Sequence, residues 1–165
     1  MEKKWMKKSE GKFSLIVDNT AIGNMEISSK TTISKAICTL GEQKFTIQKT
    51  GFWKNNREVL DNSGQIIAKI YNEKWFASSS ILDYKNKKYK IVSRNNPLVE
   101  LVILEQEIEL LAYGLKTEKK EIKVQISMNK KTTDLLFDFI LWYLFAPIIA
   151  ENADDNVVFQ MLLSV

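Results

Sequence analysis

The chain has no histidine, one cysteine, two prolines and only two arginines, Arg57 and Arg94, among its twenty-four basic residues. Without histidine the most common general base and metal ligand are missing. Cys38 is alone, so no intramolecular disulfide can form, and without an imidazole to activate it the thiol reads as a small buried hydrophobe in a reducing compartment. The scarcity of arginine argues against bidentate reading of phosphate or guanine, and nothing resembles a glycine-rich phosphate loop or an aromatic-rich RNA-binding strand. Specific nucleic-acid binding is not expected. The N-terminus, Met1 to Lys8, lacks the long apolar run and small-residue cleavage site of a signal peptide, which points to a cytoplasmic location.

What the chain does have is a succession of short alternating segments followed by one strongly apolar stretch. Phe13, Leu15 and Val17 alternate with polar neighbours and lead through Asn19-Thr20 into Ala21, Gly23, Met25 and Ile27, a hairpin pattern. Thr32–Leu40 continues it, Gly41-Glu42 breaks it, and Phe45, Ile47 and Lys49 then alternate with Lys44, Thr46 and Gln48. Asp61-Asn62-Ser63-Gly64 is turn chemistry ahead of a strand at Gln65–Tyr71. Lys74–Asp83 and Lys87–Arg94 follow as strands. Leu98–Leu104 is apolar on both parities and so expected to be covered on both faces. Glu107–Leu115 fits helix or strand, whereas Ile122, Val124, Ile126 and Met128 alternate cleanly.

A helix is expected over 132–151, with Thr132 and Thr133 as N-caps and Asp134 favouring the dipole. From Leu135 to Phe145 apolar residues cover its whole circumference, so lipid or protein must surround it. A span needs roughly 20 apolar residues. The run Phe139–Ala150 is shorter, contains Pro147, follows Asp138 and has no basic anchor after it, so a closed sheet is the better surround. Small residues at Ser34, Ala36 and Cys38 would leave room for it. The expected fold is mainly β, about 10–12 antiparallel strands forming a barrel around a hydrophobic C-terminal helix. It makes one domain over 1–165, with 1–11 a flexible N-terminus and 154–165 an apolar tail. Which segment is the core helix is open: Leu135–Ala150, or Val157–Leu163 with the former packed elsewhere.

This layout resembles the tubby C-terminal superfamily, whose members include phospholipid scramblase-like and LURP-one-related proteins. The resemblance is carried by Phe45-Thr46-Ile47, by Val59 through Ala68 with its Asp61-Asn62-Ser63-Gly64 turn, by Lys74-Trp75 and by the late apolar helix. It implies a barrel enclosing the helix and binding of anionic lipid. The acidic calcium loop and cysteine cluster of the scramblase kind are missing, and the phosphoinositide-binding residues of tubby proteins have no counterparts to carry over.

Two lysine-bearing hairpins are the candidate ligand-binding residues: Lys85, Lys87, Lys88 and Lys90 with Tyr84 and Tyr89 interleaved, and Lys116, Lys119, Lys120 and Lys123. With a net charge of +4 they could meet phosphates, although a solvated face is the plainer reading. Asp134 and Asp138, four apart on one helix face, read as a first-turn residue and a satisfied buried carboxylate rather than an acid–base pair. Glu105, Glu107 and Glu109 would line one strand face, and Ser78-Ser79-Ser80 has no activating partner. No nucleophile, base and stabiliser can be assembled, so neither enzyme, cofactor nor metal is expected. The expectation is a cytoplasmic binding protein, peripheral to a membrane if its ligand is an anionic lipid head group or another phosphate-bearing molecule. The alternatives are an intracellular carrier of an apolar small molecule, or a structural module that docks a protein partner through Asn156–Val165.

Overall fold

A computed structural model describes residues 1–28, 35–51, 55–74, 78–95, 98–118, 121–129 and 134–152. Twelve strands follow one another as an antiparallel meander in sequence order. They are β1 (Lys3–Ser9), β2 (Lys12–Val17), β3 (Thr20–Ser28), β4 (Lys35–Leu40), β5 (Gln43–Thr50), β6 (Asn56–Asp61), β7 (Ile66–Tyr71), β8 (Ser79–Tyr84), β9 (Lys87–Asn95), β10 (Val99–Glu105), β11 (Ile108–Glu118) and β12 (Glu121–Met128), and α1 (Leu136–Asn152) closes the series. The sheet curls into a nearly closed barrel with α1 inside it.

Rings from all round the wall meet the helix. Trp5 of β1 stacks on Trp142, Phe13 of β2 meets the same indole edge-on, Phe45 of β5 packs on Phe139, and Tyr89 of β9 packs on Phe137. Leu136, Phe137 and the run Phe139 to Tyr143 are all buried, which is why this helix needs no polar face. An eight-stranded barrel is only wide enough for its own side chains; twelve strands leave room for a helix about 10 Å across. Small inward residues widen it further. Ala36, Cys38 and Ala68 are buried against the helix layer, and at Gly23 a Cβ would lie 2.8 Å from Phe139 Cζ and 2.5 Å from the Thr39 carbonyl oxygen.

Burial raises the Cys38 thiol far above its ordinary pKa. Because the thiolate is the reactive form, native protein at pH 8 should show no reaction with a disulfide reagent over minutes, and one thiol per chain should appear on adding denaturant. Rapid labelling of native protein would contradict the packing of β4 on α1.

Several expectations need correction. The segment 1–11 is not a loose terminus: Lys3–Ser9 is β1, paired antiparallel with β2. Lys3, Trp5 and Lys7 share the inward face there, and Trp5 is only 2% exposed. The flanking lysines hid this alternation. Glu107–Leu115, open between helix and strand, belongs to β11 from Ile108 onward, and the core helix is α1. Val157–Leu163, Asn156–Val165, Ser34, Trp75, Thr132 and Thr133 lie outside the described residues. Asp134 itself caps the helix, accepting the Leu136 N–H at 3.1 Å. Glu105, Glu107 and Glu109 do not share a strand face, because Gln106 and Glu107 form a tight turn with positive φ between β10 and β11.

Leu98–Leu104 is covered twice, as expected. Leu101 and Ile103 join the helix core, while Val102 and Leu104 form an outer cluster with Ala112. The guanidinium of Arg94 bonds both Glu100 and Glu109, which lie on either side of Val102 in the register, and so reaches across that cluster.

Among the described residues the barrel has one seam, where β1 and β12 end the strand order without a ladder between them. A buried polar chain ties it. Trp5 Nε1 donates to Tyr113 Oη at 2.9 Å, Tyr113 Oη donates to Asp138 Oδ1 at 2.8 Å, and Lys3 Nζ reaches Asp138 Oδ2 at 2.7 Å. Burial pushes the Asp138 carboxyl up, against the pull of the Lys3 ammonium and the Tyr113 hydroxyl. One carboxylate on the central helix therefore holds β1 and β11 from both sides of the gap.

Candidate functional site

Because each hairpin reverses the chain, the connections alternate between the two ends of the barrel. The β2–β3, β4–β5, β6–β7, β8–β9 and β10–β11 turns lie at the end where α1 begins, here called the floor. The others lie at the end where it leaves, the mouth.

The two expected lysine hairpins, β8–β9 and β11–β12, are placed at opposite ends by this geometry. Lys85 and Lys87 are at the floor, in and beside a two-residue turn with positive φ at Lys85 and Asn86. Lys85 bonds Asp134 at 2.9 Å and lies over the Tyr84 ring, and the Tyr84 hydroxyl and Asp134 carboxylate raise its pKa. Lys87 pairs with Glu105 at 2.8 Å, which raises its pKa as well. Lys88 and Lys90 are exposed along the outer face of β9, with no ion-pair partner among the described residues. Lys116 and Lys123 are at the mouth, opposite each other in the β11–β12 register, and Lys123 pairs with Glu118 at 3.2 Å. Lys119 and Lys120 lie outside the described residues. The two hairpins thus occupy opposite ends, and three of these lysines are already held by carboxylates.

Tyr84 also donates to Asp134 at 3.0 Å. Burial works to raise the Asp134 pKa, but the Lys85 ammonium, the Leu136 N–H and the Tyr84 hydroxyl outweigh it and hold the carboxyl below its ordinary value. A depressed carboxyl stabilises the fold above the unfolded pKa and loses that contribution as the pH falls through the folded one, so this cap acts throughout the neutral range.

A different site emerges at the mouth. A cleft of about 770 Å³ runs beside the exit of α1, lined on the helix by Tyr143, Leu144, Ala146, Pro147 and Ile148. Phe13, Ile27, Ile91 and Leu101 supply apolar wall, and Ser78, Ser80, Ser93, Lys49 and Arg57 supply polar groups. Among the described residues no carboxylate lines it. Lys49 and Arg57 face each other directly across the β5–β6 ladder, on the inward parity shared with Ile47 and Val59. Like charges placed so are mutually repulsive. Neither has an acidic partner among the described residues. Arg57 Nη1 makes one long contact to the Asn55 carbonyl at 3.4 Å, and its Nε is buried without a hydrogen-bond partner. The C-terminal half of α1 brings the negative end of its dipole to the same mouth, which eases the two cations without satisfying that N–H.

A second cleft of about 170 Å³ adjoins the first, sharing Gly11, Phe13 and Ala146 and adding Lys7, Trp142, Ile149 and Ala150. Trp142 Nε1, also buried, has no acceptor. These two N–H groups are the unpartnered buried side-chain donors among the described residues, and the residues that carry them line the two clefts. A buried donor left without a partner costs about 1–3 kcal/mol.

The sequence carried a signal for part of this site. Lys49 stands on the same parity as Phe45 and Ile47, an inward charge at a strand's end, and Arg57 stands likewise with Val59. Reading lysines by local density favoured the solvated hairpins instead. Among the described residues no helix is long and apolar enough to cross a membrane. The chain matches no protein family, no curated protein and no solved structure with which it was compared.

Proposed function

We propose that this protein is a non-enzymatic binding protein that holds a single-chain anionic amphiphile, a carboxylate or phosphate ester, in the mouth cleft. The observation that carries it is the opposed pair Lys49 and Arg57, facing inward beside an apolar wall with no carboxylate among the described lining residues. The anionic group bridges the two cations, relieves their repulsion and accepts from the Arg57 guanidinium. The chain lies along Ile91, Leu101 and Ile148. Concave, mostly apolar sites with a few convergent polar groups are how small ligands are usually held.

This reading unites the two expected ligand classes, anionic and apolar, in one place. A head group on the outer surface has narrower support, from Lys88, Lys90 and Lys116 among the described residues. Tubby-like kinship is supported by the barrel-around-helix layout, and a cytoplasmic location by the lone buried thiol.

The test is calorimetric titration with dodecanoate and with dodecanol. Dodecanoate should bind more tightly than the alcohol, and Arg57→Met should weaken it by about tenfold or more, the worth of a hydrogen bond to a charged group. Equal binding of acid and alcohol would defeat the proposal, as would no binding of either.

A further inference from the structure

Two other cations show how this chain compensates positive charge. Lys3, inside the barrel, is held by the Asp138 carboxylate, and Arg94, the chain's other arginine, is held by Glu100 and Glu109 together. The mouth pair is treated differently. Lys49 and Arg57 are both half-buried, stand opposite each other in the β5–β6 register, and line a cleft with no carboxylate among its described residues. Directly opposed strand residues have Cβ atoms about 4.5–5.5 Å apart, so one small group can touch both the ammonium and the guanidinium. Two positive charges this close beside an apolar wall call for two negative ones. Since the chain has no histidine, the described lining also offers no group that ordinarily titrates between about pH 5 and 8.

Resting on the amphiphile reading, we infer that the head group of the ligand is a dianion, a phosphate monoester, and that the opposed pair Lys49 and Arg57 selects it over singly charged head groups. A carboxylate bridging the pair brings one charge and leaves the other cation uncompensated beside Ile91 and Leu101. A phosphodiester has the same shortfall. A phosphate monoester carries close to two charges above neutral pH and three terminal oxygens, enough for the planar fork of Arg57 and the point charge of Lys49 at once. Singly charged amphiphiles still bind, but more weakly.

The experiment titrates the full chain by calorimetry with octyl phosphate, octyl sulfate and inorganic phosphate, at pH 8 and pH 5 and constant ionic strength. The sulfate has the same chain and a tetrahedral head but one charge at both pH values. At pH 8 the alkyl phosphate should bind roughly tenfold more tightly than the sulfate, and at pH 5, where it regains a proton of pKa about 6, the advantage should fall to about twofold. Inorganic phosphate, which lacks the chain, should bind at least about tenfold more weakly than octyl phosphate. Lys49→Met removes one of two mutually repelling cations and so should fold; it should bring phosphate and sulfate to within about threefold at pH 8, whereas Lys49→Arg should keep the preference. Equal binding of the two alkyl ligands, or a preference that ignores pH or survives Lys49→Met, overturns the dianion and leaves the amphiphile reading standing. Inorganic phosphate binding as tightly as octyl phosphate overturns the amphiphile reading instead. If neither alkyl ligand binds, both fall.

Discussion

Replacing Lys3 with methionine should destabilise the protein by about 3–5 kcal/mol, the cost of leaving a buried charge without its partner. Lys3 and Asp138 are 8% and 0% exposed, and the contact joins the first strand to the central helix across 135 residues of sequence. Folded domains are stable by only about 5–15 kcal/mol, so the loss should appear as a large fall in the urea midpoint. The pH dependence identifies the mechanism. With Lys3 gone, burial is opposed chiefly by the Tyr113 hydroxyl, so the folded pKa of Asp138, already above the ordinary value of 3.8, rises further. A group raised in this way favours the fold below its unfolded pKa and loses that advantage as the pH rises through its folded pKa. The deficit of Lys3→Met should therefore shrink as the pH falls from 7 toward 4. The double variant Lys3→Met/Asp138→Asn removes the charge, keeps an acceptor for Tyr113 and should recover most of the loss. A single variant within 1 kcal/mol of the parent would mean that the carboxylate has another source of solvation.

The barrel and its helix were legible because their signals are local. Period-two alternation from Lys12 to Met128 gave the wall, and an all-round apolar run with Pro147 and Asp138 inside it gave a helix that needed a surround. Where the reading failed, partners distant in sequence decided the outcome. Lys3-Lys4-Trp5-Met6-Lys7 looks like a solvated terminus until Asp138 is brought to Lys3 and Trp142 to Trp5. The two lysine hairpins could not be placed relative to each other, because sequence does not show whether two turns fall at the same end or at opposite ends until the strand count between them is known. The mouth cleft was hidden for the same reason. Its lining comes from β2, β3, β5, β6, β8, β9, β10 and α1, and no short motif can encode a set so dispersed.

Trp5 carries the second large effect. Its indole is buried, stacks on Trp142 with ring centroids 5.2 Å apart, meets Phe139 edge-on at 5.2 Å and donates to the Tyr113 hydroxyl at 2.9 Å. Truncation to alanine removes the largest wedge on the seam strand, and large-to-small changes of this size cost about 3–5 kcal/mol because the surroundings collapse only partly. Trp5→Phe keeps much of the packing and forfeits the hydrogen bond and part of the stack, so a loss of about 1–2 kcal/mol is expected. The difference between a cavity and a broken seam can be read by amide exchange. If Trp5 only fills space, protection should fall evenly over the barrel. Since it also bridges β1 to β11 across a gap without a ladder, Trp5→Ala should lose protection first in β1, at the amides that pair with Leu15 and Phe13, while β4 to β9 keep theirs. Even loss across all twelve strands would reduce Trp5 to a core residue like any other and leave Asp138 alone to hold the barrel shut.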